Sequence, residues 1–309
     1  MKVILVLDSL FDNLDLEEAA ARSRGWLATR WDGGDQSLAQ AEVVVHVRTK
    51  VDRALIARMP NCRVVGRFGT GLDSVDLEAA RAAGMTVVNV RDYCIPEMAA
   101  HTLALAFSLE RRIGAGWDNG QWMDATWEDF AAERPVAGRT RAAVVGLGSI
   151  GSAVAAALRV LDFQVVAVTS HGSAIAERIG VRTAPLDEAL GDADLVFIHA
   201  ALEPGAAHLI DGSRLARMRP EAILVDTARL GLIDQAAVAG AIEAGRLAGL
   251  GLDARLEPSS PLRRLAGDPR VLITPHVGWY SERSARALRE QAIARSIDAA
   301  ERASRRKAS

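Results

Sequence analysis

AAVVGLGSIGSAVAAALRVLDFQVVAVTSH, residues 142–171, joins two apolar runs through a glycine-rich turn. The first run is Ala142 to Val145. Gly146, Gly148 and Gly151 follow as G-x-G-x-x-G, then a helical pattern of small and apolar residues from Ala153 to Leu161. Val165 to Val168 closes the unit as a second run. Strand, glycine turn, helix and strand within about 30 residues form the βαβ context in which this motif carries meaning. The first glycine permits a tight turn, the second lets a pyrophosphate approach the backbone, and the third lets helix and strand pack closely. The helix N-terminus then offers amide donors and a positive dipole end to phosphate. These residues predict a dinucleotide-binding unit.

The end of the second strand bears on which dinucleotide. An NAD site usually places Asp or Glu there, accepting from the ribose 2′-hydroxyl. Here Val168 is followed by Thr169, Ser170 and His171, and no acid occurs before Glu177. A 2′-phosphate would meet donors rather than a carboxylate, so NADP(H) is favoured over NAD(H).

The whole chain has 309 residues, enough for about two domains. Half its residues are apolar and a quarter charged, with net charge −2. That balance fits a soluble globular protein and offers no general attraction to nucleic acid or an acidic membrane. The opening MKVILVLDS has five apolar residues in a row, too few for a signal segment, and reads as a first strand. No run approaches a membrane span. Cys62 and Cys94 form no metal-ligand or CxxC pattern. A cytoplasmic protein without a metal site, with both cysteines as small packed residues, is the expectation.

Outward from the glycine unit, strands and helices alternate. Val3–Leu7, Glu42–Val47, Arg63–Gly66 and Met85–Asn89 read as strands. Leu16–Arg24, Asp52–Met59 and Asp76–Ala83 read as helices. The first ~90 residues thus predict an α/β unit separate from the glycine motif. Pro96 opens a helix, 97–112, with almost no polar face, the pattern of a helix buried between domains or subunits. The segment 114–139, with Trp117, Trp122 and Trp127, lacks periodicity and reads as an excursion over another surface. Further strand runs are Asp194–His199, Ala222–Asp226, Leu250–Asp253 and Val271–Thr274. Ser281–Arg302 is amphipathic, with Ala285, Leu288, Ala292, Ile293 and Ile297 on its apolar face, and Arg305, Arg306 and Lys307 read as a frayed tail.

Ligands of open α/β sheets bind beyond the carboxyl ends of the strands. Arg229, Glu257 and His276 each follow such an end. Arginine can grip a carboxylate through two parallel hydrogen bonds. Histidine can exchange a proton with a carbonyl or alcohol oxygen, and a nearby carboxylate would favour its charged form. Beside a dinucleotide site, the three suggest hydride transfer to a 2-oxo acid.

The ordered segments VVGRFGTGLDSVDLEAA (64–80), VVNVRDYC (87–94), VVGLGSIG (144–151), ILVDTARLGLID (223–234), GLGLDARLEP (249–258) and VLITPHVGWYSE (271–282) resemble the D-isomer-specific 2-hydroxyacid dehydrogenases. That group includes phosphoglycerate dehydrogenases, glyoxylate/hydroxypyruvate reductases and C-terminal-binding proteins. The resemblance implies two Rossmann-like doubly wound parallel-sheet domains. The cofactor domain, 96–282, would be inserted into a substrate domain made of 1–95 and 283–309. It implies a homodimer built on the 97–112 helix.

The resemblance also assigns roles. Arg229 corresponds to the substrate-binding arginine, Glu257 to the acid paired with the histidine, and His276 to the proton donor. Thr70 and Gly71 would hold the substrate carboxylate through backbone amides, with Arg48, Phe68, Trp279 and Tyr280 toward the substrate side chain. The cofactor set is Gly146, Gly148, Ser149, Ile150, Gly151, Thr169, Ser170 and His171, with His199, Thr227 and Asp253 at later strand ends. An alternative within the group is a dinucleotide-sensing binding protein with little turnover. A formate-dehydrogenase-like reading is disfavoured, because Glu257 stands where that type usually carries Gln. The chain departs from the common pattern at several positions. Thr169 stands in place of the NAD-selecting Asp, Asp226 in place of Asn, and Leu230 in place of the Gly after the arginine. Ala201 and Glu203 replace Pro and Thr, and the segment from Asp253 to Glu257 is one residue shorter.

Overall fold

The computed structural model describes residues 2–113, 141–170, 174–203 and 205–308. The tryptophan-bearing segment 114–139 and His171 lie outside the described residues. The chain divides into two compact units, Met1–Cys94 with Ser281–Ser309, and Ile95–Tyr280.

The first unit contains β1 (Lys2–Val6), α1 (Asp15–Arg22), β2 (Trp26–Arg30), α2 (Asp35–Gln40), β3 (Val43–His46), α3 (Arg53–Ala57), β4 (Val64–Arg67), α4 (Leu77–Ala82) and β5 (Thr86–Asn89). Its strands form one parallel sheet in the order β2-β1-β3-β4-β5. Both faces of its central strands are covered, which explains why β1, β3 and β4 read as apolar runs. Leu5, Val44 and Val65 pack with Leu38, Leu55, Ile56 and Ala80 on one side. The long C-terminal helix of the chain (Glu282–Ala308) packs on β3, β4, β5 and α1. Its Leu288, Ala292, Ile293 and Ile297 are buried as their spacing predicts. Gly66 admits this helix closely, since a Cβ there would overlap the Ser296 hydroxyl. The helix is tied back by a buried ion pair. Arg289 donates from Nε and Nη2 to the Glu17 carboxylate at 2.6–3.0 Å, and from Nη2 to the Asn13 carbonyl at 2.8 Å.

The second unit begins with α5 (Ile95–Glu110) and continues with β6 (Arg141–Val145), α6 (Ser149–Val160), β7 (Gln164–Val168), α7 (Ala174–Arg178), β8 (Arg182–Thr183), α8 (Leu186–Asp192) and β9 (Leu195–Ile198). Then come α9 (Gly212–Leu215), β10 (Ile223–Asp226), α10 (Gln235–Glu243), β11 (Gly249–Asp253) and β12 (Val271–Thr274); the C-terminal helix is α11. All seven strands are parallel, in the order β12-β11-β10-β9-β6-β7-β8. The two-residue period divides them cleanly. Ala142, Val144, Leu195, Phe197, Ile223 and Val225 face a core shared with α5 and α6. Ala143, Val145, Val196, Ile198, Leu224 and Leu252 face the opposite core. The chain winds one way from β6 to β8 and the other way from β9 to β12. The sheet therefore reverses direction between β6 and β9, where open α/β sheets bind ligands.

Several expectations shift. The strand β2 and helix α2 have no counterpart in the sequence reading, because Thr29 and Arg30 break the apolar run of an edge strand and α2 is only six residues long. The two-residue β8 is likewise too short to leave a pattern in the sequence. The helix expected at 97–112 runs Ile95–Glu110, and α5 is not buried all round by the described residues. Its Met98, Thr102, Leu105 and Ala106 are buried, whereas Ala100 and Ala104 are exposed. The final helix runs Glu282–Ala308. Cys62 and Cys94 are both buried, and burial pushes the Cys62 thiol up to about 11. Among the described residues no helix is long and apolar enough to cross a membrane, and no His/Cys/Asp/Glu group could hold a metal ion.

Candidate functional site

The turn after β6 supports each glycine for a separate reason. Gly146 has φ +97°, and a Cβ there would lie 2.5 Å from the Ala200 amide nitrogen. It therefore lets the β6 turn pass against the chain leaving β9, at the reversal point of the sheet. A Cβ on Gly151 would overlap the Gly146 carbonyl oxygen, so only glycine lets α6 start this close to β6. Gly148 differs, since a Cβ there would meet no protein atom within 4 Å. The space above it is open at the N-cap of a twelve-residue helix, where no side chain caps the first turn. That is the cradle a pyrophosphate needs, with amide donors and the helix dipole behind it. The residues present fit a dinucleotide. Replacing Gly151 with Val should raise the dissociation constant for the dinucleotide at least about tenfold, because over-packing at a backbone contact costs about 1–3 kcal/mol. Fluorescence titration with NADH and NADPH measures this, and unchanged binding would mean that α6 tolerates displacement. At the end of β7, Thr169 is half-buried and Ser170 exposed.

The ends of β9, β10, β11 and β12 place the remaining groups. His199 follows β9, and burial lowers its imidazole to about 4, so it is neutral near pH 7. Thr227 is buried, its Oγ1 2.8 Å from the Thr102 hydroxyl of α5. Thr102 donates to the Met98 carbonyl, so Thr227 is the donor between the two hydroxyls. Asp226 closes β10. Its Oδ1 accepts from the Ala228 amide at 2.8 Å and the Arg229 amide at 3.2 Å, which shapes the turn that presents Arg229. The Arg229 guanidinium donates to the Ala228 carbonyl at 2.8 Å.

Asp253, at the end of β11, organises the turn that carries His276. Its buried carboxylate accepts from the Thr274 hydroxyl at 2.7 Å and from the Val277 and Gly278 amides at 2.8 Å each. His101 of α5 lies 2.8 Å from the same Thr274 hydroxyl. His276 is held at φ +63°, a conformation few non-glycine residues adopt without such support. Its Nδ1 lies 3.2 Å from the Asp253 carbonyl. A carbonyl only accepts, so Nδ1 carries a proton and Nε2 is the ring atom left to exchange one. The side chain is exposed. Glu257 is exposed as well, and its carboxylate makes no hydrogen bond or ion pair among the described residues. In this structure it does not contact the His276 ring, whose Nδ1 engages the Asp253 backbone instead.

Arg229 and His276 thus lie beyond the carboxyl ends of β10 and β12, with β11 between them. Strand spacing puts those ends roughly 10 Å apart. Trp279 is half-buried and stacks edge-on against Tyr280, with ring centroids 5.6 Å apart.

In the first unit, Asp8 collects the Val47, Arg48 and Thr49 amides at 2.6–3.2 Å and shapes the loop bearing the exposed Arg48. Burial opposes ionisation of Asp8, but the Arg48 and Val47 amides outweigh it and hold the carboxyl below its ordinary value. Gly69 has φ +128°, and the Thr70 hydroxyl donates to the Val90 carbonyl at 3.1 Å. Thr70 is exposed and Gly71 half-buried. Phe68 is buried and packs in the core. Sequence reading missed His101 and Thr274, along with the anchoring roles of Asp253 and Asp226. Only strand register brings Asp253 opposite Thr274, and no local pattern announces it.

Residues 103–278 match the family profile described as D-isomer specific 2-hydroxyacid dehydrogenase, NAD binding domain. The chain is similar to D-3-phosphoglycerate dehydrogenase of Mycobacterium tuberculosis, with 36% identity over 290 residues, covering 90% of this chain and 53% of that one. It spans about half the length of such relatives. It is also similar to (S)-sulfolactate dehydrogenase of Chromohalobacter salexigens, with 33% identity over 245 residues, covering 78% and 79% of the two chains. Among solved structures, a D-lactate dehydrogenase from Aquifex aeolicus complexed with NAD and lactic acid superposes with a TM-score of 0.83 at 22% identity, covering 94% of this chain and 93% of that one. That likeness concerns the fold.

Proposed function

Because the chain belongs to the D-isomer-specific 2-hydroxyacid dehydrogenase family, we propose that it interconverts a small 2-oxo acid and its D-2-hydroxy acid with a nicotinamide dinucleotide. The observation that carries this reading is His276, exposed beyond β12 with its Nδ1 proton fixed on a backbone carbonyl and Nε2 left for proton exchange. The bound dinucleotide supplies or takes up the hydride. Gly146, Gly148, Ser149, Ile150 and Gly151 would hold its phosphates, with His199, Thr227 and Asp253 at the nearby strand ends. Arg229 would bind the substrate carboxylate, and the Thr70 and Gly71 amides would add to that grip. His276 would protonate the carbonyl oxygen in reduction and accept the proton in oxidation. Glu257 would swing toward the imidazole when ligand binds, since catalytic hydrogen bonds are often loose before substrate arrives. Arg48 and Trp279 would contact the substrate side chain. A homodimer through α5 is supported by its outward Ala100 and Ala104, with half-buried Leu103 and Phe107 beside them.

The test is oxidation of NADPH and NADH with glyoxylate, hydroxypyruvate and pyruvate. Tight dinucleotide binding without turnover across a wider panel of 2-oxo acids would point instead to a dinucleotide-responsive binding protein. The chain would prefer NADP(H), because in the sequence Thr169, Ser170 and His171 follow Val168 with hydrogen-bond donors and no carboxylate. Thr169→Asp should shift the ratio of kcat/KM for NADH over NADPH upward by about tenfold or more, by repelling the 2′-phosphate and accepting from a 2′-hydroxyl. A wild-type preference for NADH, unchanged in the variant, would refute this assignment.

A further inference from the structure

Asp226 is the one fully buried carboxylate at these strand ends with an oxygen left over. Its Oδ1 takes both turn amides, whereas its Oδ2 is buried with no hydrogen-bond partner. An ionised carboxylate would leave a charged oxygen there without a donor, which is costly away from water. A proton on Oδ2 removes that charge. It also reproduces the donor that an asparagine amide, common at this position in the resembling group, would carry. Burial pushes the Asp226 carboxyl up to about 7, with the Ala228 and Arg229 amides and the Arg229 guanidinium pulling the other way.

The charged surroundings are few. On its own turn the facing charge is Arg229. On β9, whose Ile198 pairs with Asp226, the next residue is His199, held neutral by burial. On β11, whose Leu252 pairs with Asp226, the next residue is Asp253, its carboxylate engaged by Thr274, Val277 and Gly278. Asp226 shares with Leu224 the sheet face opposite α5, packed by residues around Ala200, Leu209, Leu232 and α10. Among the described residues the charged groups on those segments are Glu203 and His208, both exposed, Asp234, whose Oδ1 takes the Ala236 and Ala237 amides, and Glu243, paired with Arg264.

We propose that Asp226 is a positioning residue for Arg229 that works in its protonated form, and that its ionisation weakens the grip of that guanidinium on a substrate carboxylate. The inference rests on the function proposed above, in which Arg229 binds the carboxylate. Neutral Asp226 adds no negative charge near the Arg229 guanidinium. Ionised Asp226 places a second carboxylate beside the same guanidinium, inside a site where charges are poorly screened.

The test compares the wild-type chain with Asp226→Asn between pH 5 and 9, in two measurements. The first is thermal unfolding without ligand. A carboxyl raised from about 4 in the unfolded chain to about 7 in the folded one keeps its proton when folded and loses it when unfolded across that window. Wild-type stability therefore falls as pH rises from about 4 to 7 and levels off above. The variant has no such proton, so its Tm should gain on wild type by several degrees between pH 5 and 8. A constant Tm difference overturns the proposal.

The second measurement is the affinity for oxamate, an unreactive mimic of a 2-oxo acid, at saturating NADH or NADPH. The ratio of wild-type to variant dissociation constants cancels any pH effect that both proteins share. It should lie near one at pH 5.5 and rise to about five at pH 8.5, the order expected for one added charge close to a guanidinium. A ratio that stays flat overturns the inference alone. No oxamate binding by either protein at any pH overturns the carboxylate site itself, and with it this inference.

Discussion

His276→Gln should lower kcat for reduction of the preferred 2-oxo acid by about 10²–10⁴-fold, the range for losing a general acid. Dinucleotide affinity should change by less than about twofold. Glutamine can keep a hydrogen bond to the Asp253 carbonyl and approximate the size of the ring, but it has no proton to give near neutral pH. The turn should survive the change, because its main anchors are the Val277 and Gly278 amides and the Thr274 hydroxyl on Asp253, none of which involves the imidazole. Steady-state rates and fluorescence titration on the same preparation separate the two effects. A variant that turns over at near wild-type rate would falsify the role given to His276. A variant that loses dinucleotide binding as well would show that the ring props the site rather than serving the reaction.

Arg289→Met should destabilise the first unit by about 3–5 kcal/mol, the range for leaving one member of a buried ion pair without its partner. Glu17 has no exposed surface, and both its oxygens are engaged by Arg289. The guanidinium also bonds the Asn13 carbonyl and stacks 4.6 Å above the Phe11 ring. Methionine keeps much of the side-chain volume but strands the carboxylate in the core. The double variant Glu17→Leu, Arg289→Met removes both charges and should recover most of the loss, since apolar replacements of buried pairs are often neutral. Urea unfolding followed by a probe in the first unit measures all three. A single variant that loses less than about 1 kcal/mol would mean that water reaches Glu17 once the arginine is gone.

The parts of this protein that were legible beforehand are those whose causes are local. Gly148 and Gly151 answer demands set within the turn itself, and the motif spacing alone announced the turn, the open helix end and the close helix–strand contact, although the neighbour that Gly146 makes room for, the chain at His199–Ala200, is supplied only by the fold. The apolar face of the last helix was equally plain, because a 3.6-residue period is carried by the chain itself. Edge elements were less legible. Trp26–Arg30 turns Trp26 and Ala28 inward and Leu27 outward, then ends on half-buried Thr29 and exposed Arg30, a pattern too short to stand out from a loop. The apolar face of α5 was legible, but not which part of it this chain's own sheet covers. Gly251 points toward α5, where an added Cβ would meet Leu105 and Leu109.

By itself, then, the sequence determined an α/β chain with a dinucleotide turn, and three chemically suited side chains placed after strand ends. Only tertiary structure decided what holds them. The Asp253 carboxylate grips the His276 turn across 21 to 25 residues, Thr102 meets Thr227 across 125, and Arg289 reaches Glu17 across 272. Hydrogen bonds and ion pairs act over about 3 Å in space and ignore separation along the chain. Their partners emerge only after strand order and register have been set by burying apolar surface. The same reason left the Asp226 oxygen without a donor, which no reading of neighbouring residues could reveal.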